Sequence, residues 1–309
     1  MANNPKKIFG LVGYPVRHSL SPAMHDAAFR HLKIDAEYRL FEVRPEELEG
    51  FLENLDKENI FGLNVTIPYK IRAREILEKK FPFDQKAVWV NIDLYYVRFT
   101  GAVNTVKREG SVLKYWNTDA DGFLKSLEAD LKFVTKNKTV LLIGCGGAGR
   151  AVIAALSWIN VGIKKIFITD INLDAVNSAK EHFFFKIPQA KYLPNKLEFI
   201  SPGDVAKVIK DCDLLVNATP IGMKEGDGSV IGKNLLHDKL YVYDLVYNCD
   251  TQLIKDAQSL KRPAIGGLRM LWRQGILSFE HWTTEETKEK APQEVMWEAL
   301  QEALAKCQR

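Results

Sequence analysis

An α/β fold in two domains is predicted by three features of this 309-residue sequence. The first part of the chain alternates strand-like and helix-like runs in β-α-β-α-β order, the pattern of a mainly parallel sheet. A second series of the same kind opens at Thr139 with TVLLIGCGGAGR, an apolar run closed by a glycine cluster. Between them lies TKNK, Thr135 to Lys138, a polar stretch near which a domain boundary is expected. Length agrees, because single cores stop growing near ~250–300 residues.

KIFGLVGYPV, Lys7 to Val16, reads as a first strand running into a turn. His18-Ser19-Leu20-Ser21-Pro22 follows and leads into AMHDAAFRHL, whose Met24, Ala28, Phe29 and Leu32 share one helical face. Ser21 before Pro22 is read as an N-cap. Ser19 stands just before that cap, where a hydroxyl can reach a ligand above the strand end. AEYRLFEV, Ala36 to Val43, is a second strand with RPEELEGFLENL as its helix, and FGLNVTIPYK, Phe61 to Lys70, is a third strand that breaks at Pro68. Ligands of such sheets lie beyond the carboxyl ends of the strands. Asn64, Thr66 and Lys70 are placed near one.

After the helical IRAREILEKKF, the run AVWVNIDLYYVRF, Ala87 to Phe99, is rich in aromatic and β-branched residues and reads as strand. A hairpin is expected around Glu109-Gly110, with Asn104 at its start and Asn117-Thr118-Asp119 at its end. Thr118 or Asp119 caps the helix expected near Gly122, or Asp119 faces a ligand. In the second series, Gly144, Gly146, Gly147 and Gly149 form a G-x-G-G-x-G turn with Ala148 inside it, between a buried strand and the helix from Arg150 to Trp158. Free N–H groups and the positive end of a helix dipole there can cradle a pyrophosphate. KKIFITD then ends at Asp170, close to the roughly 20-residue offset of the acid that accepts from ribose hydroxyls in a Rossmann-like dinucleotide-binding domain. An acid there repels a 2′-phosphate, which favours NAD. Strands DLLVNATP and YVYDLVYN, a helix TQLIKDAQSLK, and two helices in IGGLRMLWRQGILSFEHW and EVMWEALQEALAK complete the reading.

Composition excludes several classes. A net charge of +4 with no basic block gives no reason to expect nucleic acid. No stretch reaches 18 apolar residues and MANNPKKIFGL has no hydrophobic signal region, so a cytoplasmic protein without membrane spans is expected. Cys145, Cys212, Cys249 and Cys307 are scattered with no CxxC pair, which predicts free thiols and no metal.

Taken together, Ser19-Leu20-Ser21-Pro22, Asn64-Val65-Thr66-Ile67-Pro68-Tyr69-Lys70, Gly101-Ala102-Val103-Asn104-Thr105, Asn117-Thr118-Asp119, Gly144 to Arg150, Asn217-Ala218-Thr219-Pro220, Tyr243-Asp244-Leu245-Val246-Tyr247-Asn248, and Met270-Leu271 with Gln274-Gly275 resemble the shikimate dehydrogenase family. The resemblance runs from about Ile8 to Trp282. It implies an enzyme that reversibly reduces 3-dehydroshikimate to shikimate with a nicotinamide cofactor, in the chorismate route to aromatic amino acids. Residues 1–120 with 268–309 would form the substrate-binding and catalytic domain, and 121–267 the NAD(P)-binding Rossmann domain. It also implies that Lys70 and Asp119 are the catalytic pair. Ser19, Ser21, Thr66, Asn104, Asp119, Tyr247 and Gln274 would bind substrate, with Asn64 lining the same pocket. The glycine loop, Asp170, Thr219, Leu245, Gly267 and Met270 would lie at the cofactor.

The chemistry asks for such a set. Hydride transfer to a ketone builds negative charge on its oxygen, so a cation or proton donor must stand beside it. Departures from the family pattern are the long Lys70 to Asn104 spacing, where AVWVNIDLYYVRF would add a hairpin or an interface element, and Arg269 and Cys249 in place of Gly and Pro. Thr169-Asp170-Ile171-Asn172 also lacks the Arg with which NADP-dependent members grip a 2′-phosphate. NAD is therefore favoured, with NADP possible as the family norm. A quinate/shikimate dehydrogenase and a relative that binds nucleotide without turnover are the alternatives. A monomer or a homodimer is expected.

Overall fold

The computed structural model describes residues 6–82, 92–187, 193–224 and 226–307. The chain divides into two compact units, Met1–Thr118 with Trp272–Arg309, and Asp119–Leu271. The first holds strands β1 (Lys7–Gly13), β2 (Ala36–Glu42), β3 (Ile60–Val65), β4 (Thr105–Glu109) and β5 (Val112–Trp116), ordered β2-β1-β3-β4-β5. The β1 pairings with β2 and β3 are parallel, those of β3 with β4 and β4 with β5 antiparallel. Helices α1 (Ser21–His31), α2 (Leu48–Glu53) and α3 (Lys70–Lys80) connect the parallel strands and lead out of β3. One core gathers Val12, Leu63, Val65 and Val106 of the sheet with Leu48, Leu52, Ile76 and Leu77 of α2 and α3. The expected hairpin turns at Gly110, whose φ of +60° suits a residue without a Cβ.

Three expectations are corrected in this stretch. Residues 92–99 of the run read as strand belong to helix α4 (Ile92–Thr100), so no added hairpin exists there; 87–91 lie outside the described residues. The buried Tyr95, Tyr96, Phe99 and Thr100 recur at helical spacing, and that period outweighs the β-preference of aromatic residues, which reflects packing more than backbone choice. Ser21 does not cap α1 with its side chain. Ser19 Oγ accepts the Ser21 N–H instead, at 3.2 Å, so the capping hydroxyl sits two residues upstream. Helix α5 (Thr118–Ala129) starts a turn earlier than Gly122, because Ala120, Phe123 and Leu127 form its buried stripe.

The second unit has six parallel strands: β6 (Thr139–Ile143), β7 (Lys165–Thr169), β8 (Leu197–Phe199), β9 (Leu214–Asn217), β10 (Tyr241–Asp244) and β11 (Ala264–Gly266). Their order, β11-β10-β9-β6-β7-β8, is the doubly wound arrangement with its switch point between β6 and β9. Helices α6 (Gly147–Ser157), α7 (Leu173–Phe185), α8 (Leu193–Lys196), α9 (Val205–Val208) and α10 (Gln252–Ser259) complete this unit's connections. Beyond them come α11 (Leu268–Thr287) and α12 (Gln293–Cys307). The division falls ahead of TKNK. Phe123 of α5 packs on Tyr243 of β10 with ring centroids 5.0 Å apart, and the Tyr243 hydroxyl donates to Ser126 at 2.8 Å, which fastens α5 to the second sheet. All four cysteines are free thiols.

His25 on α1 is fully buried and neither ring nitrogen has a hydrogen-bond partner. Burial pushes its pKa down from 6.5 to about 3, because the charged imidazolium would be desolvated. The unfolded chain takes up that proton below pH 6.5 while the native one does not, so stability is lost as the pH falls. Thermal unfolding followed by calorimetry should show a wild-type loss of about 2 kcal/mol between pH 7 and 5 from this residue. His25→Phe should lack that loss.

Candidate functional site

In the first unit the polar candidates converge where β3, β4 and the start of α5 meet α11. Asn64, in register with Leu11 of β1 and Thr105 of β4, is the penultimate residue of β3 and is buried. Its Oδ1 accepts from the Tyr38 hydroxyl at 2.8 Å, and its Nδ2 donates to Ser278 Oγ at 2.9 Å and to the Asn104 carbonyl at 3.1 Å. Asn104 Oδ1 accepts the Thr118 N–H at 2.7 Å, and Asn104 Nδ2 reaches Thr118 Oγ1 at 2.9 Å and Gln274 Oε1 at 3.2 Å. Thr105 Oγ1 lies 2.7 Å from Ser278 Oγ. Gln274 and Ser278 are four residues apart, and so share a face of α11. Of the substrate-binding candidates, hydrogen bonds thus join Asn64, Asn104 and Gln274.

The other candidates lie at these positions. Ser19 is half-buried and Ser21 buried at the start of α1. Thr66 follows β3 and its carbonyl accepts the Tyr69 N–H at 2.8 Å. Lys70 is the first residue of α3, half-buried, with its carbonyl accepting the Val103 N–H at 2.9 Å, one position before Asn104. Asp119 is buried in the first turn of α5, directly after Thr118, and counts with the second unit. Tyr247 is half-buried, after β10 in that same unit. Sequence reasoning missed Tyr38, Thr105, Thr118 and Ser278 as members of the cluster. For Thr118 the Asn-Thr-Asp triplet was a usable signal, and for Ser278 the four-residue offset from Gln274.

In the second unit the glycine loop joins β6 to α6. Gly144 has φ +97°, and a Cβ there would stand 2.8 Å from the Ala218 carbonyl group. A Cβ on Gly149 would lie 2.1 Å from the Gly144 carbonyl oxygen, so the loop closes on itself only because both residues are glycine. Gly146, by contrast, is exposed with nothing within 4 Å of a Cβ, and it precedes Gly147 and Ala148 in the first turn of α6 with no side chain capping the helix. That open side, with unbonded N–H groups behind it, fits the diphosphate of a dinucleotide. Asp170 at the end of β7 is bound into the same loop. Its Oδ2 accepts the Cys145 N–H and its Oδ1 the Asn172 N–H, both at 2.9 Å. The Cys145 thiol, 3.7 Å from the carboxylate, is pushed up to about 12 by burial and then by the Asp170 charge, so it stays protonated.

Thr219 is held by its N–H and hydroxyl, both on Asn217 Oδ1. Asn217 Nδ2 in turn donates to Asp244 Oδ1 at 2.9 Å. Burial raises the Asp244 pKa, while donors from Thr251, Val246 and Asn217 oppose that by holding the charged form. Leu245 follows directly, and its carbonyl oxygen would lie 2.1 Å from a Cβ on Gly267. Met270 is buried near the start of α11. No group of three His, Cys, Asp or Glu residues that could hold a metal occurs among the described residues.

The profile of the shikimate dehydrogenase substrate binding domain matches residues 11–106, the stretch that carries Asn64, Lys70 and Asn104. A shikimate dehydrogenase (NADP(+)) of Methanopyrus kandleri is 36% identical over 300 residues, 96% of each chain. The chain belongs to the shikimate dehydrogenase family. Among solved shikimate dehydrogenases, that of Aquifex aeolicus superposes with a TM-score of 0.79 at 32% identity, covering 97% of this chain and 99% of the other. The Listeria monocytogenes enzyme, solved in complex with shikimate and NAD, does so with a TM-score of 0.77 at 29% identity, covering 96% of each. The α/β architecture, with a Rossmann-like second unit, is that of this family.

Gly149→Ala forces a methyl group onto the Gly144 carbonyl. In a titration by cofactor fluorescence it should weaken binding of reduced nicotinamide dinucleotide about tenfold or more, the loss expected when a backbone shift of about an ångström is forced on a site. Gly146→Ala, at the open position, should leave the melting temperature within about 2 °C of wild type, as for a surface change.

Proposed function

We propose that this chain catalyses the reversible reduction of the ketone of 3-dehydroshikimate to the hydroxyl of shikimate, with NAD preferred over NADP. The observation that carries this is the buried amide and hydroxyl cluster of Asn64, Asn104, Thr118 and Gln274, flanked in sequence by Lys70 and Asp119, in a chain of this family. On this reading Met1–Thr118 with Trp272–Arg309 is the substrate unit and Asp119–Leu271 the cofactor unit.

A nicotinamide dinucleotide held at the Gly144–Gly149 loop would supply the hydride that the carbonyl carbon takes up. Lys70 stands as an ammonium group at the carbonyl oxygen and gives it a proton as charge develops there, so C=O becomes CH–OH. In the reverse direction the amine takes the hydroxyl proton back. Asp119 is the second residue of the catalytic pair on this reading. Ser19, Ser21, Thr66, Asn104, Tyr247 and Gln274 bind the carboxylate and hydroxyls. Asn64, whose amide already serves Tyr38, Ser278 and the Asn104 carbonyl, acts as the support beneath them.

NAD preference is supported by Asp170, whose carboxylate keeps free lone pairs for ribose hydroxyls after accepting two backbone N–H groups. The next residues offer no cation, and the Asn172 side chain is used to cap α7 through Asp174 and Ala175. The substrate is a small molecule, acted on by a cytoplasmic monomer or homodimer. No helix among the described residues is long and apolar enough to cross a membrane.

Steady-state kinetics test each part. Lys70→Ala should lower kcat by about 10²–10⁴, the usual worth of general acid–base catalysis. The kcat/KM with shikimate should exceed that with quinate, and the reverse order would make this a quinate enzyme. Asp170→Ser should narrow the NAD over NADP ratio by about tenfold, a coupling near 1.4 kcal/mol. A wild-type preference for NADP would overturn the reading of Asp170.

A further inference from the structure

His25 and its surroundings are not used by the mechanism above. Its imidazole lies parallel to the Tyr38 ring, with centroids 4.5 Å apart and planes 8° from parallel. On the other sides stand Phe279, at 6.3 Å and 15°, and Trp282 at 5.2 Å, both from α11. Room for this arrangement comes from Gly275, where a Cβ would strike Met24 Cε at 2.3 Å and lie 3.7 Å from His25 Nε2. The side chain is therefore wedged between β2 and the helix that carries Gln274 and Ser278.

Stability does not account for a histidine here. Both nitrogens are buried and unbonded, a cost that an apolar ring of similar size would relieve. What the side chain offers its neighbours is its flat face, and the neighbour that matches it is Tyr38. Tyr38 is 5% exposed, its N–H is held by Asp26 Oδ1 at 2.8 Å, and its hydroxyl donates to Asn64 Oδ1. The Asn104 carbonyl can only accept, so the Asn64 Nδ2 faces it and Oδ1 is left to take the phenol proton, which pins that end of the amide. The same Nδ2 also donates to Ser278 Oγ.

We propose that His25 is a positioning residue for substrate binding: its stack on Tyr38 holds the phenol hydroxyl on Asn64, and so fixes the amide cluster that contacts the substrate. The proposal rests on the reading of that cluster as the substrate site. His25→Ala should raise the KM for shikimate about tenfold with kcat changed less than about twofold, the pattern of lost uniform binding. Tyr38→Phe, which keeps the ring and removes the hydroxyl, should do the same, and the double variant should be no worse than either single one. His25→Phe, which retains a ring without nitrogens, should return KM to within about twofold of wild type.

The side-chain amide protons of Asn64, followed by NMR, give a readout that needs no turnover. They should exchange slowly in wild type and His25→Phe, and faster in both His25→Ala and Tyr38→Phe. Unchanged protection in His25→Ala overturns the proposal, as do an unchanged KM in that variant, additive losses in the double variant, or failure of the phenylalanine to restore KM. A wild type that does not oxidise shikimate would overturn the functional reading alone, and the exchange rates would still decide the role of His25.

Discussion

The side chain of Asn104 holds together three stretches of chain that are far apart in sequence. It sits one position before β4, and its two amide ends reach the first residue of α5 and Gln274 in α11. These bonds lie out of water, where each is stronger than on the surface and where losing one partner strands the other. The helix that returns from the end of the second unit is thereby sewn to the sheet formed by the start of the chain. Trp282, one further turn along α11 from Ser278, reinforces the seam by donating to the Val106 carbonyl of β4 at 2.9 Å. The cluster is thus a structural joint of its own unit.

Local features of the sequence were legible because they rest on near-neighbour geometry. The glycine loop at Gly144 to Gly149, the hairpin at Gly110 and the strand ends at Asn64 and Asn217 follow from apolar runs, glycines and turn residues within a few positions of each other. Helix α4 was misread because residue type was weighed above spacing. The cap of α1 was assigned to Ser21, whereas the hydroxyl that reaches the free N–H belongs to Ser19. The three-residue β11 is too short for any periodicity to register.

The support of the candidate site was illegible for a different reason. Tyr38, Thr105 and Ser278 meet Asn64 across sequence separations that no local pattern encodes. The resemblance to shikimate dehydrogenases points to residues that face a ligand, such as Lys70 and Gln274, and is silent on the groups that hold them still. Two asparagines and the hydroxyls of Tyr38, Thr105, Thr118 and Ser278, none of them charged, hold the cluster together in the interior. Being neutral, they escape the large desolvation cost that buried charges would carry.

Asp170 carries two duties in one side chain. On the proposed reading its charge serves the ribose hydroxyls of a dinucleotide, and its two oxygens tie the N–H groups of Cys145 and Asn172, which anchors the glycine loop to the start of α7. A lineage that replaced it to accept a phosphorylated cofactor would slacken the phosphate cradle in the same step. On that reading cofactor choice is coupled to loop architecture, and a switch would call for a second, compensating donor or acceptor before the first change became tolerable.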